Sequence, residues 1–98
     1  MAFQLRYKET VQSEIDGFPD QLRRKWTLRT GDLIQNPFPR VGDGFEILEV
    51  TNDFGDKFLS LVDDGLTFTA QFDVYTWPAA EENSFGYEGI VHVWNLVA

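Results

Sequence analysis

Cysteine is absent from the 98 residues, which removes disulfides, thiol nucleophiles and thiolate metal ligands together. That composition suits a reducing compartment, and a cytoplasmic location is the expectation. Histidine occurs once, as His92, so ordinary zinc chemistry lacks its ligands. No apolar run approaches the ~18 residues of a membrane helix, and the opening MAFQLRYKE has no apolar stretch of the kind a secretory signal needs. Neither a membrane partner nor standard secretion is expected. Basic residues nearly vanish after residue 40, where Lys57 stands alone against eleven Asp and Glu. Residues 1–40 carry seven Lys and Arg against five acids, and the whole chain has a net charge of −8.

A field of one sign repels phosphate backbones and favours basic partners. Nucleic acid is therefore a poor partner. The one basic cluster, Arg23-Arg24-Lys25 beside Trp26, reads as a solvated strand edge or loop. The acids of residues 41–98 are expected to gather on one continuous face, with Arg23, Arg24 and Lys25 on another side.

What the chain has in abundance is rings: nine Phe, three Tyr and three Trp. A chain of 11.3 kDa buries roughly 65% of its extended surface on folding, enough for one modest core rich in aromatics. One domain spans 1–98.

The clearest local pattern is FLSLVDDGLTFTAQFDVYTW, Phe58 to Trp77, two β-favouring runs joined by Asp-Asp-Gly. With Asp64-Gly65 as a two-residue turn, Leu61 faces Phe68, Leu59 faces Ala70 and Asp63 faces Leu66. That register sorts Leu59, Leu61, Leu66, Phe68, Ala70, Phe72 and Val74 onto one side. A three-residue turn is the rival; it pairs Val62 with Leu66 and would bury Ser60 instead of the leucines, because a slip of one residue exchanges faces. The two-residue turn is preferred.

Elsewhere, alternation predicts strands over 2–8, 9–15 and 22–29, the last with Leu22, Trp26 and Leu28 on one face, separated by a turn at Asp16–Asp20. A helical stripe through Val11, Ile15, Phe18 and Leu22 competes, but Gly17 and Pro19 fall inside it. Thr30-Gly31-Asp32 reads as a turn into a short Leu33-Ile34 segment. Asn36 to Arg40 is an extended connector, Val41 to Gly44 a turn, and Phe45 to Thr51 a strand. Asn52 to Asp56 leads into the hairpin. A loop from Ala79 to Gly89 precedes a final strand, Ile90 to Val97, with Ile90, His92, Trp94 and Leu96 on one face and Val91, Val93 and Val97 on the other. Apolar on both faces, that strand is expected to be central. The expected fold is all-β, an antiparallel barrel or roll of about six strands with little or no helix. The run GDLI…RVGDGFEILEV resembles the glycine-turn-strand pattern of SH3-like barrels.

Catalytic patterns are thin. His92 sits between Val91 and Val93, with no serine or carboxylate near it in sequence to mark a triad. Asn52-Asp53-Phe54-Gly55-Asp56 lacks the alternating acids and distal Glu of an EF-hand, and Asp53-Phe54-Gly55 has none of the other kinase motifs around it. Asp63-Asp64 and Glu81-Glu82 are adjacent acids, which on a strand point to opposite faces. No catalytic residue, metal site or cofactor is assigned.

Three functions compete. The leading one is a non-catalytic interaction protein whose acidic, aromatic surface meets a basic partner or its own copy. Its site is the loop carrying Glu81, Glu82, Phe85, Tyr87 and Glu88, since rings are enriched at interface hot spots. Phe85 and Tyr87 are expected to be exposed, and Trp77 to plug one end of the core. The second is a small-ligand binder with an aromatic barrel mouth built from His92, Trp94 and Trp26. The third is an enzyme in which carboxylates converge from separate strands.

Overall fold

Gly17 and Pro19 interrupt not one helix but the boundary between two. The computed structural model describes residues 2–65, 68–78 and 86–97, and its elements run β1 (Gln4–Tyr7), α1 (Glu9–Asp16), α2 (Asp20–Gln35), β2 (Arg40–Val41), β3 (Phe45–Thr51), β4 (Lys57–Asp63), β5 (Thr69–Thr76) and β6 (Gly89–Val97). The strands predicted over 9–15 and 22–29 are therefore helices. Val11 and Ile15, four apart, are the buried stripe of α1, and Trp26, Arg29 and Leu33 that of α2. Leu28, read as sharing a face with Trp26, is exposed on the far side of α2. The break is tied by Arg23, whose guanidinium donates to the main-chain carbonyls of Asp16 (3.0 Å) and Phe18 (3.3 Å). Those carbonyls lie where α1 leaves its last turn without internal partners.

The six strands form one sheet in the order β1-β6-β5-β4-β3-β2, and it is not closed into a barrel. The fold is mostly β with two helices, so the expectation of little or no helix is corrected. β6 is central, as its two apolar faces required, with β1 parallel on one side and β5 antiparallel on the other. β2 is the short edge strand beside β3.

The helices cover one face. Val11, Ile15, Trp26 and Leu33 meet Phe45, Ile47, Leu61, Phe68, Ala70, Phe72, Val91, Val93 and Leu96, all buried, in a single cluster. The face assignment in the β4–β5 hairpin stands, but its register does not. Leu61 pairs with Ala70 and Leu59 with Phe72, two residues from the expected pairing, and the Asp63 N–H reaches the Phe68 carbonyl at 3.4 Å. The connection is thus 64–67, of which Leu66 and Thr67 lie outside the described residues. A slip of two preserves which side chains face the core, so Leu61 is buried as expected. Ser60 is buried as well, but on the sheet's other face.

Candidate functional site

One extra residue in β6 shapes the helix-free face. Gln71 pairs with Asn95, but the next residue of β5, Phe72, pairs with Val93, leaving Trp94 as a β-bulge. Both residues of the bulge then turn towards the helix-free side. The Asn95 amide donates to the Gln71 side-chain oxygen at 2.9 Å, and the Trp94 ring meets Phe58 edge-on at 5.3 Å. Leu96 is returned to the core, which corrects the expectation that it shares a face with His92 and Trp94.

A bulge bends its strand and increases local twist. The β4–β5 ladder stops at Leu59↔Phe72, level with the bulge. Beyond that point β4 stays with β3 through Thr51↔Lys57, while β5 stays with β6 through Thr76↔Gly89. The sheet therefore forks. A cleft of about 300 Å³ opens at the fork, lined by Lys57, Phe58 and Leu59 of β4, Asp73 and Val74 of β5, Glu49 of β3, and Phe38-Pro39 from the connector before β2. Leu59 and Val74 are half-buried against the core, so the cleft has an apolar wall on the helix side. Lys57 pairs with Glu49 at 3.8 Å, a solvent-exposed contact that contributes little stability. Asp73 has no ion-pair partner among the described residues.

The helix-free face mixes apolar side chains with polar ones such as Ser60, Gln71 and Asn95. Leu48 and Tyr75 are exposed there, as is Val97 at the end away from the fork, and Val50, Phe58, Val62, Ile90 and Trp94 are partly so. His92 is exposed on the same face, with Asp73 opposite it on β5 and Arg6 opposite it on β1. Neither a hydrogen bond nor an ion pair joins His92 to either. The Trp94 indole N–H is buried without a hydrogen-bond partner, and a buried donor left unpaired costs about 1–3 kcal/mol.

The residues singled out from sequence fare unevenly. His92 and Trp94 do share a face, but Trp26 is on the opposite side of the sheet, in the core. Its ring lies edge-on to Phe68 at 5.3 Å, and its N–H donates to the Tyr7 hydroxyl at 3.1 Å. Burial holds the Tyr7 hydroxyl above its ordinary pKa, against the smaller opposing effect of that hydrogen bond. The three residues make no common pocket. Of the loop residues, Glu81, Glu82 and Phe85 lie outside the described residues; Tyr87 is exposed and Glu88 half-buried. Trp77 stands edge-on to Tyr75 at 5.0 Å rather than plugging the core. Phe58 and Asp73 were missed because the hairpin reading treated their positions as ordinary ladder pairs, and no sequence signal marks where a ladder stops.

The acids do not gather on one face. Asp73 is on the helix-free side, Glu49 lines the fork, and Asp63 is buried beneath α2. Lys25, expected on a separate side from the acids, comes within 3.6 Å of Asp63. Asp63 is also bound by Arg29 Nε at 3.0 Å and by the Gly65 N–H at 3.0 Å. Burial by itself raises the Asp63 pKa, but the Arg29 hydrogen bond, the Gly65 N–H and the two cationic charges outweigh it and hold it below the usual carboxylate value. Arg29, buried too, further donates to the Gly44 carbonyl at 2.9 Å and pairs with Asp32 at 3.2 Å. This carboxylate is a structural anchor, and among the described residues no cluster of three or more His, Asp or Glu is placed to hold a metal.

A wider depression of about 430 Å³ lies along the outer face of α2, lined among the described residues by Asp20, Arg23, Arg24 and Thr27. It is remote from the forked sheet, and its Arg23 is already engaged by the carbonyls of Asp16 and Phe18. No helix among the described residues is long and apolar enough to cross a membrane. No family model, curated protein or solved structure matches the chain.

Proposed function

We propose that this is a non-catalytic binding protein that docks a basic protein partner, and that the docking surface is the helix-free face of the sheet around the fork. One observation carries the reading. Leu48, Tyr75 and Val97 are exposed on that face, and Tyr75 is two residues along β5 from Asp73, which has no ion-pair partner among the described residues, in a chain of net charge −8. Apolar and aromatic groups flanked by unpaired charge are the composition of an interface centre and its rim, and the net charge selects the sign of the partner. The loop residues Tyr87 and Glu88, assigned from sequence, belong to the same hypothesis as flanking groups. The partner would share the cytoplasm that the cysteine-free composition suits.

The test is affinity capture of source-cell proteins at low and high salt, with wild-type protein and with Tyr75→Ala and Asp73→Lys variants as bait. The expected result is a basic protein that wild type retains at low salt and releases at high salt. Tyr75→Ala should weaken that complex by ~1–3 kcal/mol, and Asp73→Lys should weaken it most at low salt. Capture that ignores both substitutions, or that selects acidic proteins, would sink the proposal.

A second reading keeps a specific observation in its favour. The fork cleft, at about 300 Å³, matches the lower end of small-ligand sites. Thermal shifts induced by small apolar amines and unaffected by salt would support a ligand-binding role over a docking one.

A further inference from the structure

The geometry points to the fork as a strand-addition site, which takes an extended segment of a partner whose residues alternate between apolar and basic. This rests on the docking reading above and specifies how the partner is held. A residue in a β-ladder aims its N–H and C=O at one neighbour, and its successor aims at the other. Along Asp73–Thr76 the β6 side is occupied to the end of the strand, whereas the β4 side has no ladder partner after Phe72 among the described residues. Alternate main-chain groups of that stretch therefore face the gap. Unpaired strand edges are templates for an added strand, and extended peptides use them for affinity while side-chain pockets supply specificity.

The side chains around the gap define the sequence that fits. A strand laid beside β5 presents successive residues to opposite faces. On the helix side, its side chains enter the cleft walled by Phe38, Pro39, Leu59 and Val74. The cleft volume of about 300 Å³ accommodates one aliphatic or aromatic group. On the helix-free side, its side chains meet Asp73, which has no ion-pair partner among the described residues, and the rings of Phe58 and Tyr75. A lysine or arginine there gains an ion pair, an aromatic face for its stem, or both. A segment with apolar residues on one face and basic residues on the other satisfies both sides at once. A uniformly apolar or an acidic segment does not.

The probe is a short synthetic peptide in which lysines alternate with valines around one central phenylalanine, titrated into the intact protein. Amide hydrogen exchange of the protein is read with and without peptide. The expected result is saturable binding, slowed exchange at alternate amides within Asp73–Thr76, and about tenfold or greater loss of affinity when the peptide's backbone nitrogens on one edge are methylated. Wild type should reject a peptide with glutamates in place of lysines, and Asp73→Lys should weaken binding of the lysine peptide while admitting the glutamate one. Binding that survives methylation on either edge without exchange protection would overturn strand addition while leaving docking by side chains intact. No binding of any of these peptides would overturn the proposal outright. If salt-sensitive capture of a basic protein persisted, the docking reading would still stand.

Discussion

Asp63→Asn is expected to destabilise the protein by ~3–5 kcal/mol, the cost of removing a buried cation's buried counter-charge and leaving it only the partly exposed Asp32. Asp63 and Arg29 are both buried, at 0% and 5% exposure, and the bond between them closes α2 onto the end of β4. Removing the carboxylate charge leaves the Arg29 guanidinium in a site built for an ion pair. The double variant Arg29→Met/Asp63→Leu is expected to recover a large part of the loss, because apolar replacement of both partners avoids stranding either. Part of the cost remains, since Arg29 also serves the Gly44 carbonyl; that acceptor keeps the Asp64 N–H at 3.0 Å. Urea denaturation of the single and double variants decides the matter. A double variant less stable than Asp63→Asn would mean that the polar contacts of Arg29, not the paired charge, hold this corner.

The same pair makes acid stability predictable in sign. Asp63 has its pKa lowered in the folded state, so the native protein keeps the carboxylate ionised where the unfolded chain begins to bind a proton. Its contribution is complete above the unfolded value of about 4 and is lost as pH falls through the lower, folded value. Unfolding free energy measured downwards from pH 6 should fall in the acid region, and the Asp63→Asn variant should lose that component of the slope.

The second large effect belongs to the core side of the hairpin. Leu61→Ala and Phe68→Ala should each cost ~2–5 kcal/mol, and Thr69→Ala less than about 1. Leu61 is wholly buried and Phe68 is 2% exposed, supporting Trp26 from below. Truncating either leaves a void that the two helices and the sheet cannot both close. Thr69 lies on the helix-free face, partly exposed and paired with Val62 and Val97. Equal losses at Thr69 and Leu61 would show that the two faces are covered alike, against the arrangement described here.

How far the sequence could be read is clearest in that hairpin. Alternation located its faces, since period 2 is a local property, and β3 was predicted at Phe45–Thr51, where it is found. The turn length was not legible, because the Asp63 carboxylate serves the turn through the Gly65 N–H and at the same time answers to Arg29, far away in the chain. The helices were hidden by their punctuation. Gly17 and Pro19 counted against a single helix, when they mark the end of one and the start of the next. Gly31 then suggested a turn inside α2, where its cost of about 1 kcal/mol relative to alanine is offset by burial of Leu33 two residues on. His92 and Trp94 were correctly placed on one face by alternation alone. Their neighbours Phe58 and Asp73 became visible only through the bulge, whose extra residue is defined by the pairing of two strands and leaves no mark in either one.

The parallel partnership of β1 with β6 sets the order in which the molecule can assemble. Gln4 is matched to Ile90 and Tyr7 to Val93, so the earliest strand has its sheet neighbour only when the last strand exists. The meander from β3 to β6 joins strands adjacent in sequence, whereas closing the long span back to β1 is slow because the entropy of that loop is lost before its contacts are gained. During synthesis α2 can meet β4 through Arg29 and Asp63 and place Trp26 on Phe68 before β6 exists, whereas α1 and β1 would wait for the final nine-residue strand, Gly89–Val97.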